Sequence, residues 1–171
     1  MKQSDIKSMP EYFDRYIKYV EDIELTDTLS NYGVNLFLPY MKKLAETGNK
    51  TYAPDKWTVK NILQHLIDSE RVFCYRALRF ARNDKTELPG YDENKFAGES
   101  MADSRTIEDL LQEMDSVRKS SIDLFRSFND KMLMRDGICF NKNISVLATG
   151  FVIAGHTFHH FNFINEKYLI L

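Results

Sequence analysis

The chain is poor in cysteine and has no long apolar run. Only Cys74 and Cys139 occur among its 171 residues, and nothing near them resembles a metal-binding cysteine pair or a disulfide framework. A reducing, cytoplasmic location is therefore expected. The first residues lack an apolar signal region, and there is no run of about 18 apolar residues that could span a bilayer. We therefore expect no membrane partner.

Basic charge and glycine-rich motifs are lacking as well. The formal net charge is -2 and the isoelectric point is near 6.1, so the chain lacks the positive charge that would neutralise phosphates. This argues against nucleic acid as a partner. No glycine-rich phosphate loop or nucleophile elbow occurs, which argues against nucleotide hydrolysis and serine-type acyl transfer.

The chain does contain apolar residues at helical spacing. Residues 1–171 are long enough for one domain with its own core, without disulfides or a structural metal. A short leading helix is predicted within residues 5–22, starting near Pro10. The first long helix is predicted over residues 26–47, with a kink before Pro39 because proline removes a backbone donor.

Three further long helices have recognisable starts. Thr58 can cap a helix that extends to about Arg82, with Trp57 packing back against it. Thr106 caps a third helix, and Ser145 caps the last one. The polar stretch 83–105 between the second and third helices is predicted to be a long functional or mobile loop.

Strand signals are weak. Residues 130–143 could form a small hairpin or an extended crossing segment. The chain is therefore predicted to be all-α, with four long helices in a four-helix bundle, a fold that often builds metal sites on facing helices.

The histidines are the clearest functional signal. His156 and His160 are four residues apart on the apolar stripe of the last helix, so their side chains share one face. Nitrogens that bind one zinc ion lie roughly 3.3 Å apart, and this pair can reach that separation. His65, on the second helix, is the candidate third ligand. His159 is turned about 100° away and is expected near the helix flank.

A single histidine on an apolar helix is more often a core residue than a ligand. The hypothesis of a metal site depends on the joint pattern, in which two histidines share one stripe and a third lies on another helix.

The same segments resemble the DinB-like superfamily. The resemblance rests on residues 56–71 (KWTVKNILQHLIDSER), 88–92 (LPGYD) and 155–160 (GHTFHH) and spans most of the chain. It implies an up-down-down-up four-helix bundle that binds a divalent metal ion through three histidines. Their positions match His65, His156 and His160. Zinc or nickel suits such a site best, and iron or manganese is compatible with it.

Nearby charged residues leave two interpretations open. Asp68 could accept a hydrogen bond from a ligand imidazole or act as a general base, or it could simply bond to Gln64 or Arg71. Glu70 points away from His65 and is better explained by an ion pair with another helix or by solvation. A further candidate group could bind an anionic substrate, although charges on the back of a helix are usually solvated. It consists of Arg71, Arg79 and Arg82 on the second helix and Tyr91 and Asp92 in the loop that follows.

The expected function is that of a metal-dependent enzyme with a small-molecule substrate. The resemblance implies activation of a low-molecular-weight thiol for transfer, or of water for hydrolysis, and we slightly prefer transfer. The alternative is a non-catalytic bundle that keeps the histidines as a structural or sensor site. Exposed aromatic helix faces could join such bundles as a homodimer.

Overall fold

The computed structural model describes residues 1–170, and these residues are mostly helical. The α-helices are α1 (Asp14–Ile17), α2 (Leu25–Asn31), α3 (Met41–Thr47), α4 (Val59–Ala81), α5 (Glu93–Glu99), α6 (Ile107–Arg126), α7 (Asp130–Leu133) and α8 (Val146–Lys167). Short 3-10 turns occupy Gln3–Asp5, Val34–Leu36, Leu38–Tyr40 and Ala102–Ser104. The strands β1 (Asp136–Cys139) and β2 (Lys142–Ser145) form an antiparallel hairpin.

The three longest helices begin at the predicted caps. The Thr58 hydroxyl accepts from the Asn61 amide at 3.1 Å, and the Asn61 side chain accepts from the Thr58 amide at 3.0 Å, so a capping box starts α4. Thr106 and Ser145 each accept one amide hydrogen bond at the starts of α6 and α8. Local hydrogen bonds therefore fix the helices that contain the histidines.

The architecture is a four-helix bundle, as predicted. Helix α4 packs against both α6 and α8, and α2 packs against the same two helices from the opposite side. With α3, which also contacts α6, α2 takes the place of the first long helix. The all-α prediction is thus confirmed, and the hairpin is a small addition. None of the helices in residues 1–170 combines the length and the apolar composition that a membrane span requires.

The predicted continuous first helix is wrong. Helix α2 ends at Asn31, and two 3-10 turns precede α3, which begins at Met41. The Arg118 guanidinium donates to the carbonyl oxygens of Leu29 at 2.7 Å and Tyr32 at 2.6 Å. These bonds satisfy carbonyls that the helix end leaves free, while Pro39 supplies no amide to continue the helix. The interruption is therefore much larger than a kink.

The short leading helix is confirmed, whereas the prediction for the long loop was too simple. Within residues 5–22 the regular α-helix covers only Asp14–Ile17. Residues 83–105 contain α5, capped by Asp92, and Leu88 forms a bridge with Cys139 of β1. The predicted loop is therefore partly helical, with α5 packed against α4 and Leu88 paired with the hairpin. Of the two alternatives for residues 130–143, the hairpin is confirmed.

A polar layer separates two apolar clusters in the interior. One cluster contains the C-terminal half of α4 and the N-terminal half of α8, and the other contains the N-terminal half of α4 and Ile164 of α8. Between them lie the buried polar side chains His65, Ser69, Glu70, Arg118, His156 and Thr157. The histidines thus occupy the level at which the bundle core changes from apolar to polar.

Candidate metal centre

The structure brings His65, His156 and His160 together from two facing helices. The Nε2 atom of His156 lies 3.2 Å from that of His65 and 3.1 Å from that of His160. One nitrogen of each ring lies within 4.8 Å of the others. His156 and His160 are four residues apart on α8 and share one face of that helix. Helix α4 presents the His65 ring opposite them.

The environment keeps these rings uncharged at neutral pH. Burial lowers the pKa of His65 to about 4 and the pKa of His160 to about 3, the latter helped by His65. Burial and the neighbouring His160 also hold the pKa of His156 well below its usual value. Neutral imidazole is the form that binds metal, because its free ring nitrogen carries a lone pair.

The Nδ1 atoms of His65 and His160 differ in their hydrogen-bond partners. The Nδ1 atom of His65 lies 3.4 Å from the hydroxyl oxygen of Ser69, which lies 2.7 Å from the Tyr91 hydroxyl oxygen. A proton on Nδ1 is compatible with these contacts and would leave Nε2 of His65 as the acceptor that a metal ligand needs. The buried Nδ1 of His160 has no hydrogen-bond partner in the described chain.

Aromatic rings enclose the histidines. The Trp57 ring centroid is 5.0 Å from that of His65, and the Tyr16 centroid is 5.0 Å from that of His156. The Phe73 ring centroid lies 6.1 Å from that of His156, on another side of the ring. This packing limits the access of water to the nitrogens and holds the rings in place.

Two openings reach the histidine cluster from different sides. A narrow pocket touches His156, and about 50 Å³ of its volume is accessible to water. A wider cleft of about 310 Å³ touches His160. The aromatic residues of the cleft wall are Tyr52, Trp57, Phe163 and Tyr168. A small molecule can therefore approach the nitrogens from outside.

The donor set fits one divalent ion. Nitrogens on a tetrahedral ion with bonds of about 2.0 to 2.1 Å lie roughly 3.3 Å apart, close to the 3.1 and 3.2 Å seen between the Nε2 atoms. Three neutral rings, each with a nitrogen within 4.8 Å of the others, also match the usual ligand set of a catalytic zinc site. At most one proton can sit between any two of these nitrogens, so ordinary hydrogen bonding satisfies the cluster poorly.

Sequence comparison agrees with this architecture. The DinB superfamily model matches residues 35–164, which include all three histidines. The chain belongs to the DinB superfamily.

Relatives of this superfamily member include both a curated protein and solved structures. A protein of Oceanobacillus iheyensis named "putative metal-dependent hydrolase" is 24% identical over 131 residues, which cover 71% of this chain and 75% of that protein. YfiT from Bacillus subtilis, described as a "probable metal-dependent hydrolase with an unusual four-helix bundle topology", is 20% identical with a TM-score of 0.61, covering 92% of this chain and 86% of YfiT.

The fold also resembles a mycothiol-dependent maleylpyruvate isomerase. That structure has a TM-score of 0.63 at 11% identity, and the match covers 82% of this chain. This chain spans only 60% of the isomerase chain. At such identities the structural matches show that the fold is shared.

The other predicted residues lie close to the cluster with different contacts. Asp68 accepts a hydrogen bond from Gln64 at 2.9 Å and lies 4.0 Å from Arg71, so these contacts follow its second interpretation. Glu70 forms a buried ion pair with Arg118 of α6 at 2.8 Å. The role of Asp68 as a base stays a prediction.

The remaining predicted groups lie at the edge of the site. His159 is half-buried, and its ring centroid lies 5.5 Å from Tyr16 and 5.6 Å from Tyr19. Burial lowers the pKa of His159, and Arg15 adds to this effect. Arg71 and Arg79 form ion pairs with Glu113 and Asp84 rather than facing the histidines.

Sequence reasoning missed Ser69 and Arg76, and it named Tyr91 only as a loop residue that could bind an anion. Ser69 lies four residues after His65, and that spacing could have signalled a contact on the same helix face. Tyr91 and Arg76 meet only because residues 83–92 fold back onto α4, where Arg76 donates to the Pro89 carbonyl at 2.9 Å. No local pattern in the sequence predicts this return of the chain.

Proposed function

We propose that this chain is a metal-dependent enzyme in which His65, His156 and His160 bind one divalent ion. A divalent ion with an open coordination position supplies a Lewis acid that acidifies a bound water or thiol. The names of the relatives support metal dependence. The close approach of three Nε2 atoms from two helices is the observation that carries the proposal.

The chain's own side chains provide the setting for such chemistry. Ser69 orients His65 through Nδ1, while Trp57 and Tyr16 shield the ring nitrogens from bulk water. Neither cysteine is a ready nucleophile, because burial raises the pKa of the Cys74 thiol to about 11 and also raises that of Cys139. A thiol that reacts here must therefore come from a small molecule.

Metal binding is tested with matched histidine variants. Protein purified without a histidine tag is analysed for zinc, nickel, iron and manganese, and is then titrated with each ion after chelation. We expect one ion per chain, loss of tight binding in His160→Ala, and nearly unchanged binding in His159→Ala. Equal binding by both variants, or none by the wild-type chain, would contradict the proposed site.

The two chemistries are separated by parallel assays on the metal-loaded protein. One assay follows hydrolysis of p-nitrophenyl acetate, and the other follows conjugation of monobromobimane to bacillithiol, mycothiol or cysteine. Activity in either assay that disappears in His160→Ala and survives in His159→Ala supports an enzyme. A chain that binds metal and stays inactive with a broad set of esters, amides and thiol acceptors would favour the non-catalytic bundle instead.

A further inference from the structure

Within residues 1–170 two arginines are nearly buried, and they differ in whether a carboxylate pairs with them. Arg118 is 3% exposed, and its guanidinium makes two hydrogen bonds to Glu70, one to Thr157 and two to backbone carbonyls. Its donors are therefore used within the fold. Such complete pairing is the usual condition for burying a guanidinium.

Arg76 is equally buried but has far fewer partners. It is 5% exposed, and its hydrogen bond within the described residues is the one from Nη2 to the Pro89 carbonyl. No carboxylate of residues 1–170 lies within 4.0 Å of its nitrogens. A guanidinium has five N–H donors, so most of its hydrogen-bonding capacity is not met by residues 1–170, and the Glu93 carboxylate that lines the same pocket is not within ion-pair distance.

The Arg76 side chain lines the narrow pocket that reaches His156. Ser69, Tyr91 and His156 line the same pocket. The Phe73 ring connects the two positions, since its centroid is 5.8 Å from the Arg76 guanidinium carbon and 6.1 Å from the His156 ring. An anion seated on Arg76 would thus lie beside the proposed metal centre, within the same enclosure.

The size and charge of the pocket favour a small, singly charged group. The open space of about 50 Å³ has room for about three to five water molecules, so a carboxylate fits within it. Glu93 also lines the pocket and is exposed, which disfavours a doubly charged phosphate. Arginine matches a planar carboxylate because two parallel N–H groups can meet its two oxygens.

We infer that Arg76 binds a carboxylate of the substrate in the narrow pocket, so that the substrate is a small carboxylate-bearing molecule. The assignment of this group as part of a substrate rests on the proposed function, whereas the anion site itself rests on Arg76 alone. The other end of the molecule then extends past His156 toward the three ring nitrogens.

The anion site is tested by side-chain NMR with acetate as the probe. The Nε–H signals of the arginines, assigned through bonds in the wild-type chain, are followed during titration with acetate and with neutral acetamide. We expect a saturable shift of the Arg76 signal with a dissociation constant in the millimolar range for acetate. Acetamide should give no comparable shift. Inorganic phosphate should bind more weakly than acetate, and tighter binding of phosphate would overturn the carboxylate assignment.

Three single variants make the test specific for Arg76. Arg76→Gln should weaken acetate binding by about 10- to 100-fold, the loss expected when charged hydrogen bonds disappear. Arg82 directly follows the end of α4 and does not line the pocket, so it serves as the control, and Arg82→Gln should leave acetate binding unchanged. Glu93→Gln should strengthen it, since a like charge leaves the pocket. If Arg76→Gln fails to fold, the wild-type titration alone decides.

Repeating the titration before and after chelation separates the two proposals. A shift of the Arg76 signal in both forms supports the anion site whatever the metal does. An absent shift, or equal shifts with acetate and acetamide, would overturn this inference and leave the histidine site untouched. A chain without metal affinity would remove the substrate assignment and leave the anion pocket in place.

Discussion

Glu70 and Arg118 are opposite charges in the interior, and each depends on the other. Their side chains are each 4% exposed and are joined at 2.8 Å. Removing one partner of a buried pair leaves an uncompensated charge, which typically costs 3 to 5 kcal/mol. We therefore expect Glu70→Gln to lower the free energy of unfolding by about this amount in urea denaturation.

An exposed pair on the same helix as Arg118 is the control. Lys119 and Asp115 lie 2.5 Å apart, with side chains 72% and 38% exposed. Lys119→Gln should change the free energy of unfolding by no more than about 0.5 kcal/mol, because water screens such pairs. Equal effects of the two substitutions would mean that the buried pair contributes no more than a surface one.

Cys74 gives a prediction about reactivity and pH. Its pKa is raised to about 11, mainly by burial, and only the thiolate reacts readily with alkylating agents. At pH 8 the folded protein should therefore react with iodoacetamide on the order of 100-fold more slowly than the urea-unfolded chain, whose thiol pKa is about 8.5. The folded-state rate should rise tenfold per pH unit up to about pH 10. Mass spectrometry of the Cys74 peptide measures both rates, and similar rates at pH 8 would show that the thiol is not shielded.

The contact between α1 and α8 depends on a glycine. A Cβ atom at Gly155 would lie 2.0 Å from the backbone oxygen of Tyr16, so an alanine there must push α1 away. Because Tyr16 packs on His156, this shift reaches the proposed metal site. Gly155→Ala should cost about 1 to 3 kcal/mol of stability, a typical effect of overpacking, and should weaken metal binding.

Gly98 of α5 allows the matched substitution. A Cβ atom there meets nothing within 4 Å, and alanine favours helix over glycine by roughly 0.5 to 1 kcal/mol. Gly98→Ala should therefore be neutral or stabilising in the same urea experiment, with metal affinity unchanged. If both variants behaved alike, the close approach at Gly155 could not explain its effect.

The helices that were predicted well are those with local start signals. Thr58, Thr106 and Ser145 each cap a helix through bonds within three residues, and such bonds can be inferred from neighbouring sequence. The interruption after Asn31 could not be inferred in this way. It depends on Arg118, more than eighty residues away along the chain, whose guanidinium binds the carbonyls at the end of α2.

The same distinction applies to the candidate site. The spacing of His156 and His160 is a local property of one helix, and their pairing with His65 followed from the bundle fold and the family resemblance. Ser69 was within reach of the same reasoning. Arg76 was not, because its role depends on how residues 83–92 return to α4 and on the absence of a carboxylate within ion-pair distance among residues 1–170. Tyr91 was named as a possible anion-binding residue, but its contact with Ser69 depends on the same return of the chain.

The polar layer has a consequence for the whole molecule. It lies between two apolar clusters, yet α4, α6 and α8 each pass through it and contribute side chains to both clusters. Because the helices are continuous across the layer, neither cluster can melt without releasing part of the other. Residues 1–171 should therefore unfold as one domain, with a single transition detected identically by circular dichroism and by Trp57 fluorescence. Transitions that differ between the two probes would contradict a single cooperative unit.

Metal binding should raise the stability of this unit without being required for folding. A ligand that binds only the folded state at a concentration 100 times its dissociation constant adds about 2.7 kcal/mol. For a chain of this size, each kcal/mol shifts the melting temperature by about 2 to 4 °C, so the preferred ion should raise it by roughly 5 to 11 °C.

The chelated protein should keep its helical circular dichroism, because its core is apolar on both sides of the histidines. Calorimetry of the wild-type, His159→Ala and His160→Ala proteins with and without the ion measures the shift in melting temperature. The shift should persist in His159→Ala and vanish in His160→Ala. A shift of equal size in His160→Ala would place the ion elsewhere on the molecule.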